Sequence, residues 1–189
     1  TEPIAVALCV AKATETLGQK PEKIQALLSA NILKNAMGVG IPGTGMIGLP
    51  IAIALGALIG KSEYQLEVLK DSTPEAVEEG KKLIDSQAIN IGLKYGIEEK
   101  LYIEIICEAE GKKATAIISG GHTNFVYVAH GEEVLVNKQA ASSNEATSDD
   151  VELTLRKVYD FAMETPIEEL KFILETRNLN KQAAVRSFK

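Results

Sequence analysis

The chain has 189 residues, 46% of them apolar and 24% charged, and a formal net charge of −6. That length and balance allow one large globular domain or two small ones. The negative charge argues against a nucleic-acid backbone or an anionic membrane surface as partner. Its two cysteines, Cys9 and Cys107, lie far apart in apolar stretches. This spacing disfavours a disulfide framework or a clustered zinc site and points to free buried thiols in a reducing, cytoplasmic setting. No basic-then-apolar signal segment opens the chain. The longest apolar run, Met46 to Ile59, contains glycine and proline. It is shorter than the roughly 20 residues that cross a bilayer, so a buried helix is expected and no membrane partner. The chain opens at Thr1 without a methionine, and residues upstream of it are expected.

Thr1-Glu2-Pro3 reads as a helix start, with a hydroxyl cap and then acid and proline in the first turn. Ile4, Leu8 and Ala11 follow at helical spacing, and Gly18 is the expected stop. Lys23 to Ser29 alternates imperfectly as a strand, and Asn31 to Ala36 reads as a short helix or turn. Residues 38–48 are dense in glycine and lead into the small, apolar run that ends at Gly60. Tyr64 to Leu69 alternates like a strand. Thr73-Pro74-Glu75 opens a helix with Ala76, Val77, Leu83 and Ile84 at its apolar positions. Over 101–138 the period changes. Leu101 to Ala109, Ala114 to Ser119, Phe125 to Ala129 and Glu133 to Asn137 are β-rich and separated by short turns, which favours an antiparallel meander. His130, before Gly131, reads as an exposed turn residue.

Gln139 to Asp150 is polar and reads as a loop or linker. Val151, Leu155, Val158 and Ala162 mark an amphipathic helix. Thr165-Pro166 with Glu168 looks like a capping box opening another. The stretch from Arg177 to Lys189 is basic and weakly patterned. Residues 151–189 are therefore expected to be helices leading to a second half outside this chain. The expected class is α+β: helices packed on a mainly antiparallel sheet, with a glycine-rich loop leading into a buried apolar helix.

Four segments have the residue types for chemistry, the shortest being Thr1-Glu2, whose carboxylate also reads as part of a helix start. Gly38-Val-Gly40-Ile-Pro-Gly43 and Gly43-Thr-Gly45-Met-Ile-Gly48 both match the dinucleotide fingerprint G-x-G-x-x-G. No clean strand precedes them, however, and Pro42 and Pro50 sit against the turn. The same glycines allow backbone N–H groups to approach an anion at the start of the following helix, with Thr44 adding a hydroxyl; a substrate carboxylate suits such a site. The competing reading is tight helix packing that needs small residues. Gly120-Gly121-His122-Thr123-Asn124 lies between two expected strands. Its histidine titrates near neutral pH and can move a proton, while its composition is equally that of a hairpin turn. Ser29 to Asn35 contains Lys34 and Asn35, which can bind a carboxylate or serve as an ordinary cap and solvated lysine.

Taken in order, Thr1-Glu2-Pro3-Ile4, the segment Asn31 to Asn35, Pro42-Gly43-Thr44-Gly45-Met46-Ile47-Gly48-Leu49-Pro50 and Gly120-Gly121-His122-Thr123-Asn124 resemble the bacterial family of L-cysteine desulfidase and the L-serine dehydratase alpha chain. The resemblance runs through Phe172-Ile173-Leu174 and identifies residues 1–189 as the N-terminal part of such a protein. It implies an iron–sulfur amino-acid lyase that converts L-cysteine or L-serine to pyruvate and ammonia, with sulfide or water released. In that family a [4Fe–4S] cluster acts as the Lewis acid. The family's cysteine before Thr-Glu-Pro is absent here, and Cys9 and Cys107 match no ligand position. This chain alone is thus expected to hold no cluster or other metal and to be inactive.

By the same resemblance, His122 is the expected catalytic residue. Thr44, Gly45, Thr123, Asn124, Asn35 and Glu2 are the expected substrate-binding residues, and the ligand is a small amino acid. A non-catalytic amino-acid-binding protein is the alternative. A nucleotide-dependent enzyme using the glycine loop is a third, and it predicts tight NAD binding. A homo-oligomer would give the run Met46 to Ile59 one source of cover.

Overall fold

The computed structural model describes residues 1–138 and 154–187. These two stretches belong to two separate compact units. The first unit is α+β. It opens with α1 (Glu2–Leu17), whose side chains from Ala5 to Ala11 are almost all buried. Strand β1 (Lys23–Leu28), α2 (Ala30–Ala36), a small hairpin of β2 (Gly40–Ile41) and β3 (Met46–Ile47), and α3 (Leu49–Ile59) follow. After α4 (Pro74–Asp85) come β4 (Ile89–Leu93), β5 (Tyr102–Ala109), β6 (Lys112–Ser119), β7 (Phe125–His130) and β8 (Glu133–Asn137).

Six strands form one sheet in the order β4-β1-β5-β6-β7-β8. β5 to β8 pair consecutively and antiparallel, as two-to-five-residue connections favour. β1 and β4 are parallel, and the crossover this requires is supplied by the helices between them. In β5, Ile103, Ile105, Cys107 and Ala109 are buried while Tyr102, Glu104 and Ile106 are less so, so alternate residues face the helix layer. α1 lies on that face: the Cys9 thiol donates to the backbone oxygen of Ala116 at 3.3 Å, and Thr14 Oγ1 lies 3.8 Å from Cys107 Sγ.

α3 runs beside α1 because both are built of small residues where they touch. A Cβ on Gly56 would lie 2.6 Å from the Ala7 carbonyl oxygen, and one on Gly60 would lie 2.8 Å from the Ala11 Cβ. Two contacts that step by four residues on both helices in the same sense make the pair parallel. Small residues at this spacing let the two backbones approach closely. Glu15 then accepts from the Ser62 backbone N–H at 2.7 Å, tying the end of α1 to the chain leaving α3.

Several local expectations are corrected. Tyr64 to Leu69 is no strand: Ser62–Glu67 is a 3₁₀ turn broken at Gln65, where φ is 52°. The alternation of Tyr64, Leu66 and Val68 mimics a strand, but no neighbouring strand pairs with it. Met46 and Ile47 belong to the hairpin, and the buried helix begins only at Leu49. Thr1 makes no capping bond through its side chain. Thr165 ends a helix instead of capping one. His130 closes β7, half-buried.

The second unit contains α5 (Leu155–Glu164), α6 (Ile167–Leu170) and α7 (Phe172–Ser187), so the basic stretch after Arg177 is helical through Ser187. None of these three helices has a buried residue. The expected linker from Gln139 to Asp150, and Val151, lie outside the described residues. Among the described residues, no helix is long and apolar enough to cross a membrane.

Candidate functional site at the start of two parallel helices

The starts of α1 and α2 and the β6–β7 turn lie toward one end of the first unit. α1 passes from Cys9 above Ile103 to Thr14 above Cys107, so its first turn lies beyond the Tyr102 end of β5. At that end Ser29 donates its backbone N–H to Tyr102 O at 3.0 Å and its hydroxyl to Lys100 O at 2.8 Å. Ser29 also accepts from Ile32 N at 3.4 Å and so caps α2. Gly120 N donates to Leu101 O at 3.1 Å, which fixes the β6–β7 turn at the same edge. Tracing the α1–α3 register back two turns from Gly56 and Ala7 brings the start of α3 level with the start of α1.

The β6–β7 turn is tight. Asn124 N donates to Gly121 O at 3.1 Å, leaving His122 and Thr123 as its two corner residues. The Asn124 side chain turns back and donates to Ser119 O at 2.9 Å, so it braces the loop. His122 is half-buried and Thr123 exposed. His122 lies close enough to α1 to influence Glu2. The Glu2 carboxyl is held below the usual carboxylate range, first by a hydrogen bond from its own backbone N–H, with His122 a smaller contribution.

The glycine-rich segment is a hairpin. Thr44 Oγ1 donates to Ile41 O at 2.7 Å and accepts from Met46 N at 3.0 Å, pinning the turn from inside. Gly43 and Gly45 have positive φ on either side of it. Gly48 then joins hairpin to helix at φ 88°, with its N–H on Val39 O at 2.8 Å. A Cβ there would sit 2.8 Å from Met37 O, so only glycine fits. This hairpin replaces the strand–turn–helix that the dinucleotide fingerprint requires. Asn35, exposed on the outer side of α2, reaches Asn31 at 3.5 Å.

What this end offers chemically is backbone N–H groups. α2, α4 and α5 are each capped by a serine or threonine side chain. α1 and α3 are not: neither Thr1 nor Gly48 makes a side-chain capping bond. Pro3 and Pro50 carry no N–H and the Glu2 carboxyl takes its own, so the first-turn donors that remain are Ile4 on α1 and Leu49 and Ile51 on α3, and the two helix dipoles add in the same direction.

The cysteines are elsewhere. Cys9 on α1 and Cys107 on β5 are both buried between the helix and the sheet. Burial pushes the Cys107 thiol up to about 12 and holds the Cys9 thiol well above its usual range, with Cys107 a second cause for Cys9. They do not fit an iron–sulfur cluster, which needs thiolates. Among the described residues no three His, Cys, Asp or Glu side chains converge as a metal site.

One polar cluster escaped the sequence reading. Glu104 Oε2 accepts from Lys94 Nζ at 2.6 Å and from Tyr102 OH at 2.9 Å. The signal was an acid, Glu104, set between isoleucines at an alternate position of a largely apolar strand. The cluster lies on the sheet face opposite α1.

No protein-family model matches the chain, and no solved structure does. It is 78% identical over 189 residues to a UPF0597 protein of Phocaeicola vulgatus and 67% identical over 189 residues to one of Bacteroides thetaiotaomicron. Each match covers 100% of this chain and 44% of the relative. A UPF0597 protein of Aeromonas hydrophila is 40% identical over 187 residues, 97% of this chain and 42% of that protein. These names overturn the assignment to the L-cysteine desulfidase and L-serine dehydratase alpha-chain family. The motifs behind that assignment are a pinned hairpin and a tight turn, whose glycines are explained by backbone geometry alone. From end to end the chain is similar to a stretch of these bacterial UPF0597 proteins, and it spans 44% of the length of the first two.

Proposed function

We propose that the end of the layer where α1 and α3 begin binds the carboxylate of a small amino acid. The observation that supports this is the pair of parallel helix starts, where neither Thr1 nor Gly48 makes a side-chain capping bond and only Glu2 has its N–H taken by its own carboxyl. Two such ends bring several backbone donors and two positive dipole ends to one place, which suits a carboxylate. In this reading Thr44 and Gly45 shape the hairpin beside the ligand, Thr123 and Asn35 contact its polar groups from the rim, and Asn124 and Glu2 hold the surrounding loop and helix start. His122 is the side chain given the proton transfer in this reading.

The catalytic form of the proposal is α,β-elimination from L-serine or L-cysteine. His122 takes the α-proton and passes it to the departing group as the β carbon–oxygen or carbon–sulfur bond breaks, so the hydroxyl leaves as water or the thiol as hydrogen sulfide. The aminoacrylate that remains tautomerises and is hydrolysed to pyruvate and ammonia. No step draws on Cys9 or Cys107. The second reading is amino-acid binding without turnover. It is favoured by the Thr44 and Asn124 side chains, both of which bond to their own loops.

The test places this chain in the framework of the Phocaeicola vulgatus relative, replacing its matched segment. The chimera is reconstituted anaerobically with iron and sulfide and assayed for pyruvate from both amino acids, with binding followed by calorimetry. Pyruvate that disappears in His122→Asn supports the lyase. Binding without pyruvate supports the second reading. Absence of binding to either amino acid contradicts the site.

A further inference from the structure

Helix α5 has ten residues, fewer than the ~12–15 at which an isolated helix becomes even marginally stable in water. Its pattern is cleanly two-sided. Leu155, Val158, Tyr159 and Ala162 form one stripe at helical spacing, with Phe161 and Met163 on its margins. Arg156, Lys157, Asp160 and Glu164 occupy the opposite side, where Arg156 Nε meets Asp160 Oδ2 at 2.9 Å. The apolar stripe is uncovered: Leu155 is 87% exposed, Tyr159 58% and Val158 50%. An exposed apolar face this continuous marks an interaction surface.

We propose that this face of α5 packs against the part of the longer polypeptide lying outside the matched stretch. Two observations select that occupant. The relatives carry more than as much sequence again beyond the 44% matched here. A tethered partner also acts at an effective concentration in the millimolar range, far above that of a second copy in dilute solution. The proposal is independent of the amino-acid site.

The test is hydrogen exchange on two proteins, the 189-residue chain and the chimera with the Phocaeicola vulgatus relative. Amides of residues 155–164 exchange on the order of 100-fold more slowly in the chimera, at every protein concentration. Val158→Asp in the chimera abolishes that protection, while Lys157→Ala on the polar side preserves it. Protection of Ile103 to Cys107 in the same samples shows that the first unit stays folded; a milder Leu155→Ala variant, with partial loss, serves if Val158→Asp disturbs it. Equal exchange in both proteins overturns the proposal. So does protection in the 189-residue chain that rises with its concentration, because the occupant is then a second copy.

Discussion

A Cβ on Gly56 would lie 2.6 Å from the carbonyl oxygen of Ala7 and 3.1 Å from its Cα. The close approach of α3 to α1 therefore depends on the absence of a side chain at that position. In an exposed helix Gly→Ala is worth up to about 1 kcal/mol in favour of alanine. Here the clash is with backbone, which cannot turn aside. Gly56→Ala is expected to destabilise the protein by about 1–3 kcal/mol in a denaturant titration, as overpacking does. Gly80→Ala, whose Cβ would meet only side chains at 3.1 Å or more, is expected to lose less.

The two buried thiols make stability fall in alkali. Cys107 titrates near 12 in the folded chain, against about 8.5 for an unfolded cysteine. Its folded value is raised, so the unfolded state loses its proton first and the stabilisation is fully present below pH ~8.5. It declines as pH rises from there toward 12. Thermal midpoints measured from pH 7 to 10 should drop, and Cys107→Ala should flatten the slope. In the same way, neither thiol reacts with a disulfide reagent in the native chain at pH 7.5, and both react in guanidinium.

The Glu104 carboxylate is 13% exposed and holds Lys94, which is 32% exposed. Glu104→Gln leaves the ammonium with a weaker acceptor, at a cost of about 1–2 kcal/mol given its remaining access to water. Lys94→Met should recover part of that loss in the double variant. A cycle showing no coupling would mean that the ion pair contributes nothing.

Thr44 links Ile41 O to Met46 N through one hydroxyl. Thr44→Val removes both bonds while keeping the shape, so the hairpin beside Gly48 loosens. Amino-acid affinity in the chimera is expected to drop about tenfold, equivalent to roughly 1.4 kcal/mol, while Thr44→Ser retains it. An unchanged affinity in Thr44→Val would separate the hairpin from the ligand.

The α+β class was legible because its signals are local. Pro3 and Gly18 bracket α1, and short glycine turns separate β5 to β8. What stayed hidden was non-local. β4 carries Asn90 and Gly92, poor strand residues, and exists because Ile24 to Leu28 offer it a parallel partner some sixty residues earlier in the chain. At the site, Gly48 and His122 were visible as residue types. That Thr44 and Asn124 spend their polar atoms on their own loops was not, because a motif names side chains without saying which way they turn. The same gap led the motifs to the wrong family.

The most direct test of the proposed site is an amide-shift titration of the isotopically labelled 189-residue chain with L-serine, alongside L-serine methyl ester. The account predicts saturable shifts at Leu49, Ile51 and Gly45 and in the His122 ring with the free acid, and none with the ester, which lacks the carboxylate. Shifts confined to other residues, or equal shifts with the ester, would contradict it.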